Sequence, residues 1–402
     1  AEAAIDSVPG KRPGFLRSTG GVAWPRASDA GQRRLLAIAR DAGLELVHAR
    51  SLELCHSGDA HFERLAVAVA GAERELCIEM YQIRPDPIGW RVCAALAQAA
   101  VRGVAVRLLL DRFGSARIAP WLATLTEHGV EVRWYQPWRP WSNPFHRTHR
   151  KLVVVDGRLA SLGGINLAAE FSETFAGDHA WRDVGVWIEG PAAWQLRRQF
   201  DLAWAASGGE PGPTIAVPAG AGPLCALAGP RSGGANQARA YLALVATARS
   251  ELLLATPYFL PDRRLRGELV RASCRGVRVT VVVPRLSDIW WFKHGARRRY
   301  QELLAAGVGI WERCDRMVHA KVAVADGLVA AVGSTNLNRL SFHGNSETLL
   351  LTAARPVVAE LRALIADESL PAAERVSESA WRAHPDRRPW AELLASPAAL
   401  LL

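Results

Sequence analysis

No pair of cysteines in this chain has the spacing of a metal or redox site. The six (Cys55, Cys77, Cys93, Cys225, Cys274 and Cys314) are scattered, with no Cys-x-x-Cys among them. That excludes a structural zinc site built from thiolates. Most lie in apolar segments and read as small core hydrophobes, reduced in a cytosolic chain. Equally absent is any run of about 18 consecutive apolar residues, so nothing is expected to span a bilayer. The opening segment AEAAIDSVPGKRPGF has no apolar stretch of the kind a secretory signal carries. Acidic residues are also the minority, 39 against 49 Lys and Arg, for a net charge of +10. The excess favours an anionic partner, either nucleic acid or a surface of acidic lipid, and does not choose between them. If a lipid is the substrate, the protein meets the membrane from the water side.

What is present describes a folded, repetitive chain. Half of the 402 residues are hydrophobic and 22% are charged, which argues against disorder. The length exceeds what one core usually supports, so two domains are expected. One eighteen-residue pattern then occurs twice. The first copy is HRKLVVVDGRLASLGGIN, His149 to Asn166, and the second is HAKVAVADGLVAAVGSTN, His319 to Asn336. Both read H-x-K, four apolar residues, Asp, six residues, Gly, a small residue, one more residue and Asn. Each signature position of the second copy falls 170 residues after its partner. A lone H-x-K carries no signal. Two copies without insertion indicate two half-sites in one chain.

The repetition extends outward from the motif. ELCIEMY (Glu75 to Tyr81) reads as a strand, Gly89 to Arg102 as an amphipathic helix, and VAVRLLL (Val104 to Leu110) as a second strand. ELLLATPY (Glu251 to Tyr258), a helix from Asp262 to Arg275 and VRVTVVV (Val277 to Val283) repeat that order. Gly103 and Gly276 stand where a helix C-terminus favours a left-handed residue. Continuous apolar strands between amphipathic helices predict an α/β fold with sheets covered on both faces. The boundaries predicted are an extension over residues 1–50, a first domain over 51–207, a Gly/Pro-rich linker over 208–234, a second domain over 235–370 and a tail over 371–402. The tail reads as a frayed helix packed on the body.

The chemistry follows from residue type and spacing. Side chains alternate along a strand, so His149 and Lys151 share a face, as do His319 and Lys321. Each pair can present an imidazole and an ammonium to one ligand. The small residues after the next strand are expected to let backbone approach that ligand. Asn166 and Asn336 would offer amide N–H groups to phosphoryl oxygens, and Ser334 joins them as a phosphate-binding candidate. Two histidines suit a two-step phosphoryl transfer, one attacking phosphorus and the other protonating the leaving alcohol. Two Lys and two Asn donors would stabilise the non-bridging oxygens. Asp156 and Asp326 are placed with the catalytic set, although each precedes Gly at a strand end and can equally form a turn. No carboxylate cluster for a divalent cation lies beside either motif, so metal-independent chemistry without a cofactor is expected.

The doubled pattern resembles the H-x-K-x4-D-x6-G-G/S-x-N signature of the phospholipase D superfamily, over about Ser51 to Glu368 apart from the linker. SGDAHFERL, IGWRV, INLAAEF, WRDVGVWIEGPA, TPYFLPD and STNLNRLSF make it most similar to the bacterial cardiolipin synthases that lack membrane-spanning segments. The resemblance implies two similar α/β domains related by a pseudo-two-fold, each a mixed sheet flanked by helices. Their motifs would meet at one interfacial active site. It implies His149 as nucleophile and His319 as general acid/base. It also implies an acidic residue downstream of each motif that orients a histidine, often across the interface, here Asp183 and Glu347. Ser334 departs from the pattern of the first copy, which has Gly164, so the half-sites are not identical.

Two aromatic and basic segments flank the motifs. RWYQPWRPWSNPFHR holds Trp134, Trp138 and Trp141, and SDIWWFKHGARRRY holds Trp290 and Trp291. Both are expected to line a lipid-facing entrance, with indoles at headgroup level and cations on phosphates. The favoured reading is a phosphatidyltransferase making cardiolipin from phosphatidylglycerol or another donor, with glycerol or a second lipid as acceptor and some hydrolysis. It would act in the cytoplasm at the inner membrane. The alternatives are a metal-independent nuclease, with bases stacked on Trp and Tyr, and a non-catalytic membrane scaffold.

Overall fold

The computed structural model describes residues 29–135, 146–210, 212–229, 235–289, 297 and 299–383. Among these residues sixteen strands are numbered in chain order. In the first half they are β1 (Glu45–His48), β2 (Ser51–Cys55), β3 (Glu75–Met80), β4 (Ala105–Asp111), β5 (Glu131–Tyr135), β6 (Lys151–Val155), β7 (Leu159–Gly163) and β8 (Gly185–Glu189). In the second half they are β9 (Leu224–Ala228), β10 (Glu251–Ala255), β11 (Arg278–Pro284), β12 (Gly309–Arg313), β13 (Val322–Ala325), β14 (Val329–Gly333), β15 (Leu349–Thr352) and β16 (Ala373–Arg375).

They form two sheets. One runs β2-β8-β7-β6-β3-β4-β5 and the other β1-β9-β15-β14-β13-β10-β11-β12-β16. In each, a parallel trio (β3-β4-β5, β10-β11-β12) joins an antiparallel hairpin that carries the motif (β6-β7, β13-β14). The chain therefore has two similar mixed sheets, as the doubled pattern predicts. Strands such as β3, β6 and β10 are buried along their whole length, because helices or the other sheet cover both faces.

Helices 58–70 and 87–101 cover the outer face of the first sheet, and helices 30–42, 235–247 and 263–274 that of the second. Between the sheets lies a shared core. Cys77, Leu152 and Val154 of the first sheet meet Leu253, Val322 and Val324 of the second there, together with helices 191–206 and 355–363. The Asp86 and Asp262 carboxylates cap helices 87–101 and 263–274, and Gly103 (φ +93) and Gly276 (φ +87) follow their ends.

Three boundaries differ from those read in the sequence. The extension is not separate up to residue 50, because helix 30–42 packs on helix 235–247 and β1 pairs with β9. Nor is the linker free of structure, since LCALA forms β9 inside the second sheet, paired with both β1 and β15. The short apolar run is masked in the sequence by the glycines and prolines around it. The start of the tail is also part of the second lobe: β16 extends its sheet beside β12, and Trp381 packs in its core.

Candidate active site

Both motif hairpins carry their histidines to the same end of their sheets, where the two lobes meet. Thr148 bridges Ser346 and, in the symmetric position, Val318 bridges Arg182. The backbone N–H of His149 donates to the Ser346 carbonyl at 2.9 Å, and that of His319 to the Arg182 carbonyl at 2.7 Å. Each histidine is thus docked on the opposite lobe, directly beside that lobe's acidic residue.

The carboxylates cross over. Glu347 of the second lobe lies with Oε2 3.1 Å from Nδ1 of His149. Asp183 of the first lobe lies with Oδ2 2.6 Å from Nδ1 of His319. With a carboxylate at Nδ1, Nε2 is the nitrogen of each ring available for reaction, and Lys321 Nζ lies 3.2 Å from that of His319. All four side chains are at least nine-tenths buried. Lys151 Nζ donates to the His149 carbonyl at 2.7 Å, and Lys321 Nζ donates to the His319 carbonyl and lies 3.7 Å from Asp183. The rings also have aromatic walls: Tyr81 lies 4.8 Å from His149, and Phe171 and Trp181 each lie 5.2 Å from His319. Tyr258 approaches His319 edge-on.

Burial dominates the electrostatics. It pushes His149 below its ordinary value, with Glu347 opposing. Burial and the nearby Lys321 and Lys151 hold His319 well below the usual imidazole range. Lys151 is driven well below its normal value by burial and by Lys321, and Lys321 is lowered to about 8 by burial against the pull of Asp183. Asp183 is raised to about 6 by burial, with Lys321 opposing. Burial would raise Glu347 as well, but His149, Lys151 and the Ser334 hydroxyl outweigh it and leave that carboxyl low. Lys321 thus acts on Lys151, and Lys151 on His319, so the two half-sites lie side by side across the lobe boundary.

Asn166 and Asn336 lie three residues past the ends of β7 and β14, are buried, and have a side-chain oxygen without a protein partner. The other sequence candidates fall elsewhere. Asp156 and Asp326 lie at the far ends of β6 and β13, five residues and about 16 Å of extended chain from the lysines. Both adopt left-handed backbone (φ +52 and +54). The Asp156 carboxylate accepts the N–H groups of Glu73, Arg74 and Glu75, and that of Asp326 accepts those of Arg249, Ser250 and Glu251. They close turns onto β3 and β10 and do not reach the histidines.

The small residues likewise serve the carboxylates. A Cβ on Gly164 would lie 2.4 Å from both Asp183 oxygens, so glycine is needed for Asp183 to approach. In the second copy Ser334 fills that space, and its hydroxyl donates to Glu347 and accepts the Thr348 N–H. Ser334 is committed to holding the carboxylate rather than to a phosphate. Its backbone carbonyl lies 3.2 Å from Nδ1 of His149.

Trp134 sits on β5, half-buried against the first lobe's core. Trp138, Trp141, Trp290 and Trp291 lie outside the described residues. Tyr81 and Tyr258 were passed over in the sequence, although each closes the first strand segment of its repeat (ELCIEMY, ELLLATPY). An ungapped match of the two segments sets Tyr81 against Pro257, one residue short of Tyr258, which hides the pairing. Among the described residues no three His, Cys, Asp or Glu side chains converge as a metal-binding set.

The turn role of Asp326 has a measurable consequence. Burial opposes ionisation, but the N–H groups of Glu251 and Ser250 and the Arg34 guanidinium hold its carboxyl far below the ordinary range. A depressed acid adds stability above its unfolded value, near 4, and that contribution is lost as pH falls below it. Asp326→Ala is expected to lower stability by roughly 2 kcal/mol at pH 7 in denaturant unfolding, with less difference from the parent at pH 3. Its kcat should stay within about threefold of wild type, whereas a catalytic acid would lose far more.

A family profile described as "Cardiolipin synthase, PLD-like domain" matches residues 65–204 and 241–367, one segment in each lobe. The chain is 33% identical over 331 residues to cardiolipin synthase B of Salmonella typhi, covering 77% of this chain and 78% of that one. It is 33% identical over 316 residues to cardiolipin synthase B of Escherichia coli K12, covering 74% and 75%. Among solved structures, a phosphatidylserine synthase from Haemophilus influenzae superposes with a TM-score of 0.67 at 14% identity, covering 92% of this chain and 98% of that one. That likeness concerns the fold. No helix among the described residues is long and apolar enough to cross a membrane. With a family profile matched in both lobes and paired H-x-K motifs meeting between them, the chain belongs to the phospholipase D-like family of cardiolipin synthases.

Proposed function

We propose that this protein is a phosphatidyltransferase that forms cardiolipin from phosphatidylglycerol or another phospholipid donor through a phosphohistidine, with hydrolysis as a side reaction. The observation that carries the reading is the crossed pairing, His149 with Glu347 and His319 with Asp183. Each carboxylate fixes one imidazole tautomer, as in the triad logic of hydrolases, and each lobe supplies half of both pairs.

In the first step Nε2 of His149 attacks phosphorus, the P–O bond to the leaving glycerol breaks, and His319 gives that oxygen a proton. Entry of the phosphodiester anion favours the imidazolium form of His319, which burial alone disfavours. In the second step His319 takes the proton from the incoming hydroxyl, whose oxygen displaces His149. Lys151, Lys321, Asn166 and Asn336 bind the non-bridging oxygens. A second phosphatidylglycerol as acceptor gives cardiolipin, and water gives phosphatidic acid.

Labelled phosphatidylglycerol in mixed vesicles with EDTA is expected to yield cardiolipin and glycerol. Cleavage of single-stranded DNA without lipid turnover would instead favour the nuclease reading, and inactivity on every phosphodiester would favour the scaffold.

The rim of the site supports a bilayer as the surface it meets. Phe113 is 67% exposed with the Arg147 guanidinium 3.9 Å over its ring, in the turn whose Asp111 accepts the Thr148 N–H. Phe175, exposed and beside Arg91, lies four residues after Phe171 at His319. Leu286 is exposed from the second lobe, two residues before Asp288, the acceptor of the Tyr258 hydroxyl. Aromatic rings paired with arginines suit the headgroup layer of anionic lipid. Phe113→Ala and Phe175→Ala are each expected to weaken binding to phosphatidylglycerol vesicles about tenfold in co-sedimentation. Turnover of a soluble phosphodiester should be unchanged.

A further inference from the structure

Arg150 stands between His149 and Lys151 and is fully buried. A buried guanidinium needs partners for its donors. Nη1 donates to Glu79 Oε2 at 2.6 Å and to the Gln199 carbonyl at 3.3 Å, and Nε donates to Thr348 Oγ1 at 2.7 Å. Glu79, on β3, also accepts the Thr148 hydroxyl, so it grips the residues on both sides of His149. Thr348 belongs to the second lobe and directly follows Glu347.

These contacts close a ring across the lobe boundary. It runs from His149 to Arg150 along one segment, across a hydrogen bond to Thr348, back one residue to Glu347, and from Glu347 to Nδ1 of His149. The corresponding positions of the other half-site are Ala320 and Val184, next to His319 and Asp183, and both are buried and apolar. The counterpart of Glu79 in the repeated strand is Ala255. The same half-site is therefore built on the other side with no such network, so the fold itself does not call for one.

We propose that Arg150 is a positioning residue, which through Thr348 sets the contact between His149 and Glu347 and so the aim of the attacking nitrogen. This rests on the reading of His149 as the attacking group. Thr348→Val keeps shape and leaves the Arg150–Glu79 pair in place. Arg150→Lys keeps the charge for Glu79 but loses the fork that reaches both partners.

The test combines two readouts on both variants. On bis(p-nitrophenyl) phosphate, kcat is expected to fall about 10- to 100-fold with KM nearly unchanged, as for a displaced reacting group. In the resting protein, imidazole nitrogen NMR follows the titration of His149. The groups facing that ring are Glu347, Lys151, Lys321 and, across the site, His319, with Tyr81 against its plane. Glu347 alone among them raises the midpoint, so loosening it moves the His149 midpoint to lower pH. A variant with wild-type kcat overturns the proposal, and so does one whose loss of rate leaves the His149 midpoint in place. If the wild-type protein turns over no phosphodiester, the functional reading fails, and the NMR midpoint alone decides the role of Arg150.

Discussion

His319→Ala is expected to release one equivalent of p-nitrophenol rapidly from bis(p-nitrophenyl) phosphate and then to stall, while His149→Ala releases none. The reason lies in the leaving group. p-Nitrophenolate departs without a proton, so the attack by His149 on phosphorus proceeds with no acid at position 319. The second step still needs a base for the incoming hydroxyl, and without His319 the phosphoenzyme accumulates. With phosphatidylglycerol the leaving glycerol requires protonation, and both variants should lose at least about 10⁴-fold in kcat, the scale on which linked nucleophile and base residues fail. Rapid-quench measurement of the burst separates the roles. A burst in His149→Ala and none in His319→Ala would exchange them.

The second large effect is expected at the lobe boundary. Asp183→Asn should cost about 10⁴-fold in kcat, by analogy with the carboxylate of a protease triad. An amide at that position donates to Nδ1 of His319 and so selects the wrong tautomer, and Lys321 loses the anion 3.7 Å away. The wild-type pH profile carries the same information. Burial raises the Asp183 carboxyl to about 6, so its ionised form prevails above that pH. Activity should fall as pH drops through about 6, and this limb should vanish from the residual activity of Asp183→Asn. A limb that persists in the variant would assign it to another group.

Much of this site was legible because its chemistry sits at fixed spacing within a repeat. His149, Lys151, Asn166 and their counterparts could be named from two uninterrupted copies, and the alternation of strand side chains placed each His beside its Lys. Asp183 and Glu347 were another matter. They follow their motifs at different distances, 17 residues after Asn166 and 11 after Asn336, and only the family resemblance singled them out. Their crossing to the opposite histidine is a property of tertiary packing that no local pattern encodes.

Asp156 and Asp326 show the converse. They are as regular in the repeat as the histidines, yet their regularity reflects a turn that recurs because the sheet recurs. Gly164 and Ser334 differ between the copies because Asp183 needs empty space where Glu347 takes a hydrogen bond. The reach of the second sheet into residues 45–48 and 224–228 was hidden for a different reason. Short edge segments among Gly and Pro gain their strand character from the partners they meet, not from their own composition.

The central claim is that imidazoles from two lobes act in sequence on one phosphorus atom. Rapid acid-free quenching during turnover of labelled phosphatidylglycerol, followed by peptide mass spectrometry, tests it most directly. The account predicts a phosphatidyl adduct on His149 that disappears in His149→Ala and builds up when acceptor is limiting. An adduct on His319, or turnover that never labels the protein, would contradict it.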